Sequence, residues 1–451
     1  MENPIHKTAY VNARNWRPIA NGKVKCLNCP RSCSLGKDQS GVCAVRRNLE
    51  GKLVTDSYTS MLIPGYEPIE TEGIFHFWPG CDCLMLGNAG CTLDCDWCQN
   101  WETARSTPAN SDLFKRMTID DIEDYVVITG VDMVSFTYND FVAAPELMQD
   151  LLPRIKKHAR ALFKTAAYVN QDVFSDVLEH IDVLSFSLKT VDNKLFHRHC
   201  RGNVEIPLSN LKHACERRRE HGSPHIEVST LVVPEFNDNE RQIERIVGWF
   251  LENVGQETPL HFVKFHPAHR YQHVQRTDTE VIERSCAIAE KAGVKYVYAG
   301  NVFFNDRSNT YCPKCKALLV RRQIVRGDMI ELDGTICSKC GETSPIVINT
   351  QAQNLLANAV RPDKTNLNIH HLSHDQVGEM AHLVAHNSSS EPSRIWISEN
   401  GFSSRAINIP SKSSLRIGVC LAKTGNIAFL PDNVEVQEFS VLDRAHYPTT
   451  R

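Results

Sequence analysis

The chain has 451 residues and a formal net charge of −3, so its length predicts more than one domain and its charge gives no general basis for nucleic-acid binding. It contains no run of about 18 apolar residues, and its first residues lack the apolar core of a signal peptide, so we expect neither a membrane span nor secretion. Its seventeen cysteines therefore indicate a reducing cytoplasm and metal ligation instead of disulfides.

The first cysteine group lies in an N-terminal, cysteine-rich segment that we assign to residues 1–75. It follows the pattern C-x2-C-x3-C and consists of Cys26, Cys29 and Cys33, with Cys43 farther along. Four sulfurs in a loop-rich segment suit a closed site for a second metal, either zinc or a second iron–sulfur cluster. The sequence leaves the metal open, and unligated thiols are the alternative.

The second group follows a short apolar strand predicted at residues 84–86. Cys91, Cys95 and Cys98 have the spacing C-x3-C-x2-C, which can place three thiolates on one iron–sulfur cube and leave the fourth iron open. Electron-transfer clusters ordinarily use four cysteines, whereas an open metal position can bind a cofactor. The alternative is a zinc knot, although zinc sites more often show paired C-x2-C motifs. Cys81 and Cys83 precede this group, and we interpret them as packing residues instead of extra ligands.

Residues 76–305 alternate between helical and strand-like patterns. The predicted helices cover 119–128, 144–160, 173–180, 208–220, 241–252 and 279–292. The predicted strands lie at 84–86, 133–137, within 162–169, and at 183–188, 226–232, 261–265 and 295–298. Such alternation indicates a parallel sheet with right-handed crossovers, and we predict an α/β fold with a partial (β/α)6 barrel.

Polar residues stand where two of these strands end. Asn139 and Asp140 follow the second strand, and Ser187 and Lys189 follow the fourth. Sites in βα barrels gather at the carboxyl ends of the strands, so we expect these four side chains near the bound cofactor. Helix capping or turn formation is the alternative for each of them. The pattern assigns no catalytic acid or base, and a hydrogen-bonded structural role is the commoner one for a strand histidine such as His261.

The third cysteine group lies in residues 306–350 and consists of two C-x2-C knuckles. The first knuckle is Cys312 and Cys315, and the second is Cys337 and Cys340. Two such pairs separated by strand-like residues are typical of a zinc ribbon, in which four sulfurs close a structural Zn²⁺ site. Basic residues beside the knuckles permit nucleic-acid binding, but a solvated basic face is the simpler interpretation.

The remainder of the chain carries no motif that names a function. We assign residues 351–370 to a linker and residues 371–451 to a small C-terminal α+β appendage. The appendage is predicted to contain a helix at 375–386 and strands at 394–398, 415–421 and 434–439.

Several stretches together resemble the AmmeMemoRadiSam system radical S-adenosylmethionine (SAM) enzymes, relatives of the pyruvate formate-lyase activating enzyme. The resemblance runs in order from about residue 24 to about residue 347, and its strongest stretches are 26–43, 91–101, 136–140, 227–238, 259–267 and 300–315. It implies a radical SAM barrel, a 4Fe–4S cluster on Cys91, Cys95 and Cys98, and SAM whose amino and carboxylate groups bind the open iron. The family name implies association with Memo-type and AMMECR-type proteins, and the chemistry implies a reductant such as ferredoxin or flavodoxin.

The chain departs from the family pattern at three strand ends. Asp140-Phe141 replaces the usual Glu-Pro, and Ser187 replaces the Asp of the usual Asp-Leu-Lys. Ala167 replaces the Gly of the usual Gly-Tyr. The acid that the family would place near SAM is therefore missing at Ser187, which indicates a divergent member.

The resemblance implies a radical SAM enzyme that reductively cleaves SAM to a 5′-deoxyadenosyl radical. That radical would abstract hydrogen from a substrate, either a small molecule or a partner protein, that the sequence does not name. Aminocarboxypropyl transfer from SAM is one alternative. A non-catalytic metal-binding scaffold or RNA-binding protein is the other, which the near-neutral charge disfavours.

Overall fold

The computed structural model of the protein describes residues 10–108, 111–302, 306–322, 326–349, 368–372, 380–399, 403–420, 426–431 and 433–441. No helix within these ranges is both long and apolar enough to cross a membrane.

The N-terminal cysteine-rich segment contains eight short strands. They are β1 (Val11–Asn12), β2 (Trp16–Pro18), β3 (Val24–Cys26), β4 (Ser34–Leu35), β5 (Arg46–Leu49), β6 (Lys52–Thr55), β7 (Ser60–Met61) and β8 (Gly65–Pro68). Two three-stranded antiparallel sheets result, β1-β6-β5 and β2-β3-β4. β8 leaves this segment and joins the barrel sheet.

Seven parallel strands form the barrel wall, each paired with the next. They are β9 (Asp82–Leu86), β11 (Met133–Phe136), β12 (Arg160–Thr165), β13 (Val183–Ser187), β14 (His225–Val232), β15 (Leu260–Lys264) and β16 (Val297–Gly300), while β10 (Lys115–Arg116) pairs with β7. The predicted α/β fold with a partial (β/α)6 barrel is confirmed, and β16 adds a seventh strand after the six βα units.

Helices make the crossovers between these strands. They are α1 (Trp101–Arg105), α2 (Ile119–Thr129), α3 (Glu146–Ile155), α4 (Gln171–Leu178), α5 (Asn193–Cys200), α6 (Glu205–His221), α7 (Glu240–Asn253) and α8 (Thr279–Ala292). α2 begins at a capping box, in which the Asp121 amide donates to Thr118 Oγ1 and the Thr118 amide donates to the Asp121 carboxylate. The predicted helix at 144–160 extends too far, because β12 already begins at Arg160, and α5 is a helix that the sequence pattern did not indicate.

The amino-terminal end of the barrel interior is filled by a turn of 3-10 helix, Ile69–Glu72. Ile69 packs in one buried cluster with inward-facing strand residues that include Cys83 and Met85. Ser185 Oγ donates to the Glu72 carbonyl oxygen at 2.6 Å, which ties the turn to the wall. The interior is therefore closed at one end and open at the other, where the strands end.

The ribbon module consists of short strands beneath this filled end. They are β17 (Thr310–Tyr311), β18 (Leu318–Arg321), β19 (Asp328–Met329), β20 (Leu332–Asp333) and β21 (Ile336–Cys337). Arg322, almost fully buried, donates to the Phe75 carbonyl oxygen at 2.6 Å, and the Gly327 amide donates to Glu70 at 2.8 Å. The predicted zinc-ribbon-like module is confirmed, and it is bonded to the segment that plugs the barrel.

Within the described residues of the C-terminal appendage, all of the regular elements are strands. They are β22 (Asn368–Leu372), β23 (Met380–Asn387), β24 (Ser393–Glu399), β25 (Ser403–Ile409), β26 (Ser413–Cys420), β27 (Asn426–Leu430) and β28 (Val434–Val441). The predicted strands at 394–398, 415–421 and 434–439 coincide with β24, β26 and β28. Residues 351–367 of the predicted linker lie outside the described residues, and its last three belong to β22.

The helix predicted at 375–386 is wrong for residues 380–386, which belong to β23. This strand lies between β26 and β28, so both of its edges are hydrogen-bonded. Leu383 and Ala385 are fully buried two positions apart, which is the spacing of a sheet face. The pairing partners come from distant parts of the chain, and they override the local helical pattern.

The appendage also extends the barrel sheet. β26 pairs in parallel with β8, which pairs antiparallel with β9, and the sheet then continues through β23 to β28. Arg416 on β26 lies over the Tyr138 ring at 4.8 Å from its centroid, and its guanidinium donates to the Tyr138 hydroxyl. A Cβ at Gly65 would lie 2.7 Å from that hydroxyl, so only glycine fits where the two strands meet.

Candidate functional site

Cys91, Cys95 and Cys98 lie in the loop between the carboxyl end of β9 and α1. Cys95 is 9% exposed, and the other two are half-buried. All three line a cavity of about 400 Å³ that occupies the open end of the barrel. The strand-to-loop position is the one at which sites of βα barrels are built.

Hydrogen bonds to its backbone hold this loop in shape. Asn139 donates from its amide nitrogen to the Gly90 carbonyl oxygen and to Asn88 Oδ1, both at 2.6 Å. Arg105, at the end of α1, donates to the carbonyl oxygens of Cys91 and Leu93 at 2.6 and 2.7 Å. The sequence pattern did not identify Arg105, whose role depends on α1 folding back over the loop.

Two carboxylates clamp the other side of the loop. Asp96 accepts from Arg201 at 2.7 Å and from His199 at 3.0 Å, and Asp94 accepts from Arg270 at 3.1 Å. Burial opposes ionisation of Asp96, but the hydrogen bonds from Arg201 and His199 outweigh it and lower the pKa of its carboxyl group. The triad loop is thus fastened to α5 and to the segment after β15.

A cation and a fourth cysteine lie against the triad sulfurs. Burial opposes the charge of Lys189, but the nearby sulfurs, first those of Cys95 and Cys200, outweigh it and raise the pKa of its ammonium group. A hydrogen bond with Cys200, together with the charges of Lys189 and Arg105, lowers the pKa of Cys95 to about 7 against the opposing effect of burial. Burial raises the pKa of Cys98 to about 12.

Cys200 is fully buried at the end of α5, and the sequence pattern did not connect it with the triad. Its sulfur is hydrogen-bonded to that of Cys95. Cysteines that bind different irons of one cube are separated by the metals, so a sulfur in contact with Cys95 does not suit the fourth corner. The geometry makes Cys200 a neighbour that donates to Cys95 and leaves a three-cysteine site.

The donor set of this site fits a cube better than a single ion. Among the described residues, only the four ribbon cysteines have metal-ligating atoms that all lie within 4.8 Å of one another. The triad sulfurs are more widely spaced than one ion can bridge, whereas a 4Fe–4S cube needs such spacing. Lys189 and Arg105 bring two positive charges to these sulfurs, which would offset most of the negative charge of three thiolates.

All four side chains expected near SAM line the same cavity. Asp140 accepts from Thr165 Oγ1 at 2.8 Å and from the Ala166 amide at 3.1 Å, which joins the ends of β11 and β12. Ser187 lies opposite Ser229 in the β13–β14 register. Asn139 is the one whose hydrogen bonds are directed at the triad loop itself.

The deeper part of the cavity is polar. Ser135 and Thr137 donate to the Glu72 carboxylate at 3.1 Å, and burial raises the pKa of Glu72. His261 is hydrogen-bonded through Nε2 to Glu227 at 2.7 Å, so this strand histidine has the structural partner that the sequence analysis favoured. A molecule that fills the cavity therefore meets hydrogen-bonding groups as well as the barrel wall.

The ribbon and the N-terminal segment present two further cysteine groups. In the ribbon, the sulfurs of Cys312 and Cys340 lie 3.6 Å apart, and those of Cys315 and Cys337 lie 3.7 Å apart. Four sulfurs this close fit tetrahedral coordination of one metal ion. The N-terminal cysteines lie beside the triad loop, since a Cβ at Gly90 would lie 2.9 Å from the Cys43 carbonyl oxygen.

Comparison with known proteins gives a family match over the same region. Residues 86–247 match the model of the radical SAM superfamily. An uncharacterized protein of Methanocaldococcus jannaschii is 30% identical over 336 residues, which cover 74% of this chain and 98% of that protein.

Several solved structures give weaker matches over part of the chain. A domain of a pyruvate-formate lyase-activating enzyme from Bacteroides vulgatus has 16% identity and a TM-score of 0.30, and the match covers 35% of this chain and 91% of that domain. A radical SAM methyltransferase from Sphaerobacter thermophilus has 14% identity and a TM-score of 0.39 over 49% of this chain and 67% of the other. Streptococcus suis SuiB bound to its precursor peptide SuiA has 13% identity and a TM-score of 0.37 over 52% and 51%.

The superfamily model spans the cysteine triad and the four barrel strands β11 to β14, and the archaeal relative is matched over nearly its whole length. The family implies a 4Fe–4S cluster and SAM as cofactors. Residues 86–247 of this chain form a domain of the radical SAM superfamily.

Proposed function

We propose that this protein is an enzyme that cleaves SAM reductively at a cluster held by Cys91, Cys95 and Cys98, and that the resulting radical takes a hydrogen atom from a substrate in the barrel. The observation that carries the proposal is the cavity of about 400 Å³ that the three cysteines share with the polar ends of β11 and β13. When bound, the cluster and SAM supply one-electron cleavage of a C–S bond to methionine and a 5′-deoxyadenosyl radical.

The chain's own residues would bind and orient the cofactor. Lys189 brings a positive charge to the sulfurs, where it can pair with the carboxylate of SAM. Asn139 and Arg105 hold the loop backbone, so the spacing of the three sulfurs is set before the cluster enters. Asp140 is anchored by Thr165 and the Ala166 amide and presents a carboxylate edge at the cavity wall.

The barrel would protect the radical by excluding water from its path. The turn Ile69–Glu72 closes the far end, and the ribbon supports it from below through Arg322 and Glu70. The polar groups within the lining, including Glu72 and Lys164, favour a substrate that has polar groups of its own. Both a small polar molecule and a side chain of a partner protein meet this requirement.

We further propose that the chain is a divergent member of the AmmeMemoRadiSam group, on the strength of the ordered motifs between residues 24 and 347. On that basis, Memo-type and AMMECR-type proteins are its candidate partners, and a ferredoxin or flavodoxin is its candidate reductant. Seventeen cysteines and an oxygen-sensitive cluster are suited to the cytoplasm. The ribbon cysteines would hold a structural Zn²⁺ ion.

The test is anaerobic reconstitution of the cluster, reduction with dithionite, addition of SAM, and identification of the nucleoside product by chromatography and mass. We expect 5′-deoxyadenosine from the wild-type protein and none from Cys95→Ala. Cys215→Ala is the matched control, because Cys215 is a buried cysteine on α6 that does not line the cavity.

Two other outcomes would contradict the proposal in different ways. Methylthioadenosine in place of 5′-deoxyadenosine would assign aminocarboxypropyl transfer. Neither nucleoside from a protein with its full complement of iron would favour a non-catalytic, metal-binding role.

A further inference from the structure

We propose that Cys26, Cys29, Cys33 and Cys43 bind a second iron–sulfur cluster, separate from the triad and in contact with the loop that carries it. The nature of the metal was left open by the sequence. Four structural observations, namely the convergence of the cysteines, their backbone donors, the spacing of their sulfurs and their contacts with the triad loop, point to a cluster.

The four cysteines converge although they come from two loops. Three belong to the β3–β4 hairpin, where the Cys26 amide donates to the Cys33 carbonyl oxygen at 2.9 Å. The fourth precedes β5, and Gly41 brings it close, because a Cβ at Gly41 would lie 3.6 Å from the Cys33 sulfur and 3.7 Å from the Cys43 sulfur. Cys26, Cys29 and Cys43 are each less than 10% exposed, and Cys33 is half-buried.

Backbone amides are directed at two of these sulfurs. The amides of Val45 and Arg46 donate to Cys43, and the amide of Arg31 donates to Cys29. Neutral thiols are weak acceptors, whereas metal-bound thiolates accept strongly, and hydrogen bonds to cluster sulfurs are a common means of tuning iron–sulfur centres. This arrangement is better explained by ligation than by four free thiols packed in a loop.

The spacing of the sulfurs separates a cluster from zinc. The ribbon cysteines all lie within 4.8 Å of one another, as one ion requires, and no other set of three potential ligands in the described ranges does so. The N-terminal sulfurs are therefore spaced more widely than one ion can bridge, like those of the triad. A polynuclear centre places metals and sulfides between its cysteines and accounts for the wider spacing.

The second site is bonded directly to the first. Arg31, between Cys29 and Cys33, donates from Nε to the Thr92 carbonyl oxygen at 2.8 Å. Arg105 donates to the Val42 carbonyl oxygen at 3.0 Å and to the Cys91 carbonyl oxygen at 2.6 Å, so one side chain bridges the two cysteine loops. A cluster in the N-terminal loop would therefore fix the conformation of the loop that presents the triad.

The experiment measures metal content after anaerobic reconstitution with iron and sulfide. The triad variant Cys91→Ala/Cys95→Ala/Cys98→Ala is expected to keep half of the wild-type iron and sulfide, with a Mössbauer spectrum of an iron–sulfur cluster. The variant Cys29→Ala/Cys33→Ala should keep the other half. The zinc content of the ribbon should be equal in all samples, which serves as the control for folding.

Two results would overturn the proposal. One is a triad variant that binds no iron, whether its second site is empty or holds zinc instead. The other is a Cys29→Ala/Cys33→Ala variant that folds and keeps all of the wild-type iron. If that variant does not fold, the triad variant still decides the question. Because metal content is measured without SAM, the result does not depend on whether the wild-type protein cleaves SAM.

Discussion

The buried ion pair between Arg46 and Glu146 makes the attachment of the N-terminal segment to the barrel testable. Arg46 on β5 donates to both carboxylate oxygens of Glu146, at 2.9 and 3.1 Å, and the two side chains are 1% and 2% exposed. Glu146 lies in the first turn of α3, where the helix dipole favours a negative charge, and it also accepts from the Arg14 amide at 2.6 Å. Glu146→Gln removes the charge and keeps the shape.

The expected loss is large because the guanidinium of Arg46 would remain buried without its counterion. Removal of one partner of a buried pair typically lowers stability by about 3–5 kcal/mol, and the retained amide oxygen places this change near 3 kcal/mol. The chain has several modules and will not unfold in one step, so the measurement is native-state hydrogen exchange of the β5 and β6 amides. A loss of about 3 kcal/mol predicts exchange more than a hundredfold faster.

The control is Glu257→Gln, which removes one charge from an exposed ion pair. In this pair the Glu257 side chain is 57% exposed and the Lys295 side chain is 43% exposed. Such a pair contributes about 1 kcal/mol or less, so exchange in β5 and β6 should not change. If Glu146→Gln also leaves β5 and β6 exchange unchanged, the buried pair does not hold the segment, and the reasoning from burial is refuted.

Three further variants test the cavity and its supports. Burial lowers the pKa of His76 to about 3, so between about pH 6.5 and pH 3 the unfolded chain takes up a proton that the folded chain does not. The free energy of unfolding should therefore fall with falling pH by about 1.4 kcal/mol per pH unit in this window. Native-state hydrogen exchange of the β16 amides, beside the Tyr298 hydroxyl that is hydrogen-bonded to His76, should show a pH dependence of that free energy that is shallower by this amount in His76→Gln. Cys200→Ala removes a donor to the Cys95 sulfur, so the cluster potential should become more negative in redox titrations, while Cys215→Ala leaves it unchanged. Lys189→Gln should weaken SAM binding at least about tenfold by equilibrium dialysis of the reconstituted protein, and equal affinity in this variant and the exposed control Lys212→Gln would contradict the assigned contact.

The alternating pattern of the sequence predicted the barrel well because each βα unit is local in the chain. The strand at 84–86 and the helix at 279–292 were identified from residues that lie side by side in the sequence, and the knuckles of the ribbon were equally local. Spacing alone was therefore enough to predict a cluster site at three cysteines and polar groups at the strand ends, all of which line one cavity in the structure.

The contacts that the sequence could not reveal join distant residues. Cys200 reaches Cys95 only because α5 packs against the triad loop. Arg105 can hydrogen-bond the backbone of that loop only because α1 folds back over it. The error in the predicted helix at residues 380–386 has the same cause, since β23 gains its partners from strands that come later in the chain. Local periodicity carries no information about such pairing.

The pairing of β26 with β8 sets an order of events for a chain made from its N-terminus. Gly65 and Tyr66 lie opposite Arg416 and Ile417 in this pair. This edge of the barrel sheet therefore cannot be paired until residues about 350 positions later have been synthesised. Until then β8 is hydrogen-bonded only to β9, and its other edge is the kind of exposed strand edge that pairs with other chains. A nascent or truncated protein without β26 would thus have a complete triad loop beside an exposed, aggregation-prone strand edge. Aggregation during expression is therefore a sensitive sign that the last strands have not paired with the barrel sheet.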